Sequence, residues 1–215
     1  MQKFLRDVFS LGLLCVPVAN ASTLFLSPVL TPHQYQQTSN NPCVIGDPSC
    51  NNGGFPGPTI FPSSVSSYDT FSLPYLVSDI RTALQGGNTF AIGVDINQAS
   101  EVQKLSLFTM SINGVVVDTY SADPATLVPP TVGGGNGNGY ADYLLQTFTD
   151  LTPYAATDTV QFHVVMPLVN DGREEFFLIP TEGGVPQATT PEPLSFALVG
   201  SGLALVGLMR RRFSA

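Results

Sequence analysis

The chain has no tryptophan, two histidines, three cysteines and only eight basic residues in 215. Each scarcity closes a class of chemistry. Between residues 22 and 190 only Arg81, Lys104 and Arg173 stand against fourteen acidic residues, a net charge of −11. That segment has no electrostatic footprint for a phosphate backbone, so nucleic acid is excluded as a partner. His33 falls in a loop and His163 inside a strand pattern, and no Gly-x-Ser-x-Gly elbow accompanies either, so a Ser-His-Asp hydrolase has no frame here. Glu174 and Glu175 are adjacent. On a strand they point to opposite faces, which denies them the paired geometry of glycoside hydrolysis and leaves them as solvated charges. Without tryptophan, a sugar-binding surface lacks a favoured stacking platform, leaving the seven tyrosines for that role. The chain reads as non-enzymatic.

Glycine and proline, 38 residues together, make up about 18% of the chain, short of the share at which low-complexity disorder sets in. A packed core is therefore affordable, and the length suits one domain plus processing segments. Both ends look like such segments. Lys3 and Arg6 precede an apolar run over residues 8–18 and then Ala19-Asn20-Ala21, with small residues one and three positions before a cut. This is the grammar of a secretory signal peptide over residues 1–21, cleaved between Ala21 and Ser22, and it implies a Sec export machinery as partner. A lipid anchor on Cys15 is set aside because Leu14, not a small residue, precedes it.

The C-terminus reads Thr190-Pro191-Glu192-Pro193, then sixteen uncharged residues over 194–209, then Arg210-Arg211-Arg212. As a helix the uncharged run reaches roughly 24 Å, a short but serviceable transmembrane span. The arginines hold its end on the cytoplasmic side, so everything before it lies outside the inner membrane. Two prolines stiffen an extended stretch just beyond the bilayer that a membrane protease can grip.

Pro191-Glu192-Pro193, the Gly-containing apolar helix with Gly200, Gly202 and Gly207, and the arginine cluster resemble the PEP-CTERM sorting signal of Gram-negative bacteria. That tail is also catalogued as the C-terminal domain of ice-binding-type proteins, a label that proves no ice binding. The resemblance covers about 25 residues. It implies an exosortase as partner, a cell-surface or biofilm context with exopolysaccharide, and passage through an inner-membrane intermediate to the cell surface or the outside.

With Cys15 removed, the mature chain keeps Cys43 and Cys50 in Cys43-Val-Ile-Gly-Asp-Pro-Ser-Cys50. Gly46 and Pro48 between them allow a small disulfide loop in an oxidising compartment, and the two histidines are not at metal-ligand spacing from the pair. From residue 40 to 67 Asn, Pro, Gly and Ser dominate, a composition that makes loop rather than core. The expected organisation is an early strand over 24–30 inside a disulfide-stapled region 22–67, a main domain over 68–180, a linker over 181–190 and the sorting signal over 191–215.

In the main domain the period is two. Phe90, Ile92, Val94 and Ile96 alternate with small and polar residues, the pattern of a half-buried strand. Residues 105–112 and 115–120 flank Asn113-Gly114, which predicts a type I′ hairpin with Ile112 opposite Val115, Met110 opposite Val117 and Phe108 opposite Thr119. Asp118 then falls on the outer face. Leu151-Thr152-Pro153-Tyr154 before Val160, Phe162 and Val164 looks like the tyrosine corner of Greek-key folds. Asn170-Asp171-Gly172 predicts a final hairpin between 160–169 and 174–180. With no convincing amphipathic helix, the fold class is all-β: an antiparallel β-sandwich, Greek-key or jelly-roll-like, bracketed by the signal peptide and one C-terminal transmembrane helix.

No cofactor is called for, and calcium is the one ion the sequence admits. Its oxygen ligands would be Asn136, Asn138 and Asp142 on the glycine-rich loop 133–139, helped by Asp95 and Asn97. A flexible Gly-Asn loop explains the same residues more simply. The leading expectation is an exported structural or matrix protein, the alternative an extracellular carbohydrate- or calcium-binding module, and the remote one a hydrolase.

Overall fold

A computed structural model describes residues 21–62, 65–97, 103–129, 139–169, 172–182 and 185–186. The expected signal peptide up to residue 20, the motif Pro191-Glu192-Pro193, the apolar helix 194–209, the arginines 210–212, and the loop residues Asn136 and Asn138 lie outside the described residues. Among the described residues no helix is long and apolar enough to cross a membrane.

In chain order the elements are β1 (Ser22–Thr23), β2 (Phe25–Pro28), β3 (Cys43–Gly46), β4 (Thr59–Ile60), β5 (Tyr68–Phe71), β6 (Tyr75–Leu76), α1 (Val77–Ala83), β7 (Phe90–Asp95), β8 (Gln103–Ile112), β9 (Val115–Val128), β10 (Tyr143–Gln146), β11 (Thr159–Met166), β12 (Glu175–Glu182) and β13 (Val185–Pro186). They form two sheets. The first runs β1-β9-β8-β11-β5 with β6 also on β11, and the second runs β2-β10-β7-β12-β3-β4 with β13 also on β12. The pairings are antiparallel except β1 on β9 and β3 on β4, which are parallel, so both sheets are mixed rather than purely antiparallel as expected. The chain reaches the first sheet through β1 and, one residue later, the second through β2. Leu24, the residue between, points into the core at 2% exposure while its N–H donates to the Thr119 carbonyl.

Alternation fills the space between the sheets. Phe90, Ile92, Val94 and Ile96 face Phe108, Met110 and Ile112, Val160, Phe162 and Val164, and Phe176 and Leu178 in one apolar cluster. Phe108 sits at its middle, with ring centroids 5.6 Å from Phe176, 5.9 Å from Phe162 and 6.1 Å from Phe148. Burying one such ring contributes about 1.5–3 kcal/mol.

Sequence and structure part in four places, each with a physical cause. The Asn113-Gly114 turn forms as expected, with φ of 51° and 78° and Ile112 opposite Val115. One extra residue on β9 then makes a bulge, so Met110 faces Asp118 and Phe108 faces Tyr120. The bulge reverses the side-chain alternation of β9 and carries Asp118 to full burial. The expected hairpin between 160–169 and 174–180 does not form. Both edges of β11 are already occupied, by β8 on one side and by β5 and β6 on the other, so β12 pairs in the second sheet instead. A helix, α1, was not expected because seven residues are too few for a periodic signal, yet it plugs one end of the core with Val77 and Ile80. Arg81 fixes it there, donating to Asn88 Oδ1 and to the carbonyls of Leu151 and Tyr154. Lastly, the Asn/Pro/Gly/Ser-rich stretch after residue 40 is not all loop: β3 is fully buried inside the second sheet, because four apolar or small residues suffice for a strand there.

The second sheet is covered on both faces. Val29, Tyr35, Cys43 and Cys50 pack with Ala91, Ala141, Leu144, Phe177 and Ile179 on its outer side as a second, smaller core. Hence all six residues of β7 are buried, where alternation alone predicted three. Gly93 lies on that outer face, where a Cβ would come within 2.6 Å of the Phe177 ring and 2.9 Å of Ile179 Cδ1. Gly93→Ala is therefore expected to lower unfolding free energy by about 1–3 kcal/mol in urea titrations. Gly57→Ala, with nothing within 4 Å, should leave the midpoint unchanged.

Candidate functional site

Asp95, Asp142, Glu174 and Glu175 meet at one end of the second sheet, none more than 8% exposed. Asp95 closes β7 on the outer face and stands directly opposite Glu175, the first residue of β12. Asp142 precedes β10; its N–H donates to the Val94 carbonyl and its Oδ2 accepts the Ile96 N–H at 2.9 Å. Glu174 precedes β12 on the inner face, and its Oε2 accepts the Asn97 N–H at 2.5 Å. Asp95 Oδ2 accepts the Gly139 N–H at 2.8 Å. Side-chain carboxylates thus take over the backbone donors that the ladder leaves open at this end.

Among the described residues no basic side chain answers Asp95, Glu174 or Glu175. Arg173, the nearest in sequence, donates to Asp47 Oδ2 at 2.9 Å and to the Phe61 carbonyl at 2.6 Å. Burial, reinforced by the charges of Glu175 and Asp142, pushes the Asp95 carboxyl up to about 8. Burial pushes Glu174 up to about 7 against the opposing help of the Asn97 N–H. Glu175 rises to about 7, again through burial first and then the charge of Asp47. The expectation that Glu174 and Glu175 are solvated charges is overturned: both are buried, Glu174 at 0% and Glu175 at 8% exposure.

The sequence-derived candidates fall unevenly on this geometry. Cys43 and Cys50 form the expected disulfide, with S–S 2.07 Å and Cα–Cα 6.1 Å. Glu175 lies against it, its carboxylate within 4.8 Å of both sulfurs, but sulfurs tied in a disulfide are not thiolate ligands. Of the calcium candidates, Asp142, Asp95 and Asn97 lie at this end of the sheet and Asn136 and Asn138 lie outside the described residues, whereas Glu174, Glu175 and Gln103 were not foreseen. The one available signal was the run Glu174-Glu175 abutting Phe176-Phe177-Leu178-Ile179. Of the cleavage residues, Ala21 is exposed and Ser22 opens β1, its hydroxyl donating to Asp118.

Two further features lie elsewhere. His163 is on the outer face of the first sheet as expected, with Nε2 2.7 Å from Asp69 Oδ1 and its ring stacked on Phe71 at 3.9 Å. A cleft of about 210 Å³ opens between α1 and the disulfide region, lined by Ser39, Asn40, Phe55, Asp79, Thr82 and Gln85 among others. None of the buried carboxylates lines it. No protein-family model, curated protein or solved structure matches this chain.

Carboxyls with folded pKa values above their unfolded ones bind protons on folding. Their stabilising contribution is complete below the ordinary carboxyl range and is lost as pH rises through 7 to 8 for Asp95, Glu174 and Glu175. In chelator-treated protein the melting temperature should therefore fall between about pH 5 and about pH 8.5, a trend opposite to that of ion-paired carboxylates. A melting temperature flat or rising across that window would contradict the desolvated cluster.

Proposed function

We propose that the chain is an exported structural or matrix protein of the Gram-negative envelope, a β-sandwich of Greek-key or jelly-roll kind sorted through a PEP-CTERM/exosortase system. The observation that carries the reading is the Cys43–Cys50 disulfide. It belongs to the layer that covers the second sheet, and such bonds persist in oxidising compartments. The export and sorting signals at the two ends agree on the same topology: the β-rich part on the periplasmic side, the apolar helix as an inner-membrane intermediate, and release to the surface after processing. Exopolysaccharide is the partner that this setting suggests.

A second reading, an extracellular carbohydrate- or calcium-binding module, is favoured by the cleft. An aromatic ring, Phe55, its centroid 4.8 Å from that of Tyr75 and tilted against it, sits there among amide, hydroxyl and carboxylate groups, the combination that recognises sugar hydroxyls. Phe55→Ala should then weaken retention on the host's own exopolysaccharide by about tenfold in affinity electrophoresis, while unchanged retention removes the cleft from consideration. A hydrolase is the remote third reading, and among the described residues its support is His163 with Asp69.

Sorting is tested by expressing the full chain in an exosortase-bearing host and reading both termini by mass spectrometry. The mature protein is expected to begin at Ser22 and to lack the arginine cluster, whereas replacing Pro191, Glu192 and Pro193 by alanine should leave the tail attached and the protein in the inner membrane. Recovery of the unaltered chain from the cytosol with both ends intact would contradict the reading.

A further inference from the structure

The carboxylates at the end of the second sheet have a neighbour that points to a ligand. Gln103, the first residue of β8, is 0% exposed, and its amide lies beside Glu174. Yet among the described residues neither Gln103 Nε2 nor Oε1 reaches hydrogen-bond geometry with a partner, and Glu174 Oε1 is equally idle. Interiors rarely leave both ends of an amide and a carboxylate oxygen idle side by side, because desolvation is then uncompensated. Nor is burial alone the anomaly. Asp118 is as deeply buried, but it accepts from Ser22 Oγ, Thr149 N and Thr149 Oγ1.

Missing from the Glu174 end is positive charge with several oxygen-directed bonds. Every candidate ligand is an oxygen, from carboxylate, amide or backbone carbonyl, which suits a hard cation and excludes a thiophilic one. Among the described residues no three of these carboxylates bring oxygens within 4.8 Å of one another. One ion would thus take at most two of them directly, enough to balance a divalent charge, with neutral oxygens and water completing six to eight ligands.

We propose that Glu174 and Asp142, with Gln103 Oε1 as a neutral ligand, hold a divalent cation of the calcium class at this end of the second sheet. Asp95 and Glu175 surround the ion with further negative charge, and the freed Gln103 Nε2 turns to donate to Glu174. The inference assigns residues to the calcium-binding reading and rests on no part of the sorting reading, so its failure would leave export untouched.

The test uses the full chain in mild detergent, stripped with chelator and titrated with calcium chloride near neutral pH. Calcium should raise the melting temperature by roughly 5–10 °C at a hundredfold excess over its Kd, and calorimetry should show one site. Magnesium, which demands a tighter octahedron, should give a smaller shift. Glu174→Gln removes a buried charge without changing shape, so its chelator-treated form should melt above the wild type while its calcium response disappears. Asp142→Asn should weaken calcium binding at least tenfold, and Asp69→Asn on the opposite sheet should respond as the wild type does. No shift in the wild type up to about 10 mM calcium, beyond the range of extracellular calcium modules, would overturn the proposal. So would a Glu174→Gln protein that still responds like the wild type.

Discussion

The central strands β3 and β7 of the second sheet are buried on both faces, and much of the molecule follows from that constraint. A strand covered on one side can leave alternate residues to water; these cannot. The sheet's inner face meets the large aromatic core, while its outer face meets a thin layer that includes Val29, Tyr35 and the disulfide. The layer is small and rich in polar and turn residues, so it has little apolar area of its own to hold it down. The Cys43–Cys50 bond ties the exposed part of the layer to a strand at full burial, which limits its freedom to lift away. Gly93 marks how close the packing is, since the Phe177 ring occupies the space of a missing side chain.

The same coverage explains why charge ends up inside. Asp95 and Glu175 would face solvent if the outer side were bare. Under the layer they become a directly opposed pair of carboxyls on neighbouring strands, with Glu174 and Asp142 alongside. Burial of a carboxylate is tolerable when donors surround it, as at Asp118, where the first strand, the bulge of β9 and Thr149 converge. At the other end the carboxylates are more numerous, and among the described residues Glu174 Oε1 has no hydrogen-bond partner. Protons, or under our proposal a divalent cation, supply the balance.

What could be read from residue order alone was whatever is local. The Asn113-Gly114 turn requires two positive φ values and names itself; the alternation of Val160, Phe162 and Val164 fixes an inward face; Cys43 and Cys50, the two cysteines among the described residues, pair around Gly46 and Pro48. What escaped depends on distant segments. A one-residue bulge leaves no trace in the pattern of 115–120, yet it turns Asp118 from surface to interior. Whether β11 and β12 pair as a hairpin depends on which strands already flank β11. Half of the candidate site was visible, in Asp95, Asn97 and Asp142, because acidic residues near glycine-rich loops suggest a hard cation. Glu174, Glu175 and Gln103 were not, since only the covering layer and the facing sheet make them interior.

The claim beneath all of this is that the end of the second sheet is dry and uncompensated by basic side chains. Carbon-13 NMR titration of the Asp and Glu carboxyls in chelator-treated protein tests it directly, residue by residue. Asp95 should titrate near 8 and Glu174 and Glu175 near 7, while exposed carboxyls such as Asp150 titrate below the ordinary range. Midpoints for the three buried groups near the ordinary carboxyl value of about 4 would contradict the account, because they would mean that water reaches this end of the sheet.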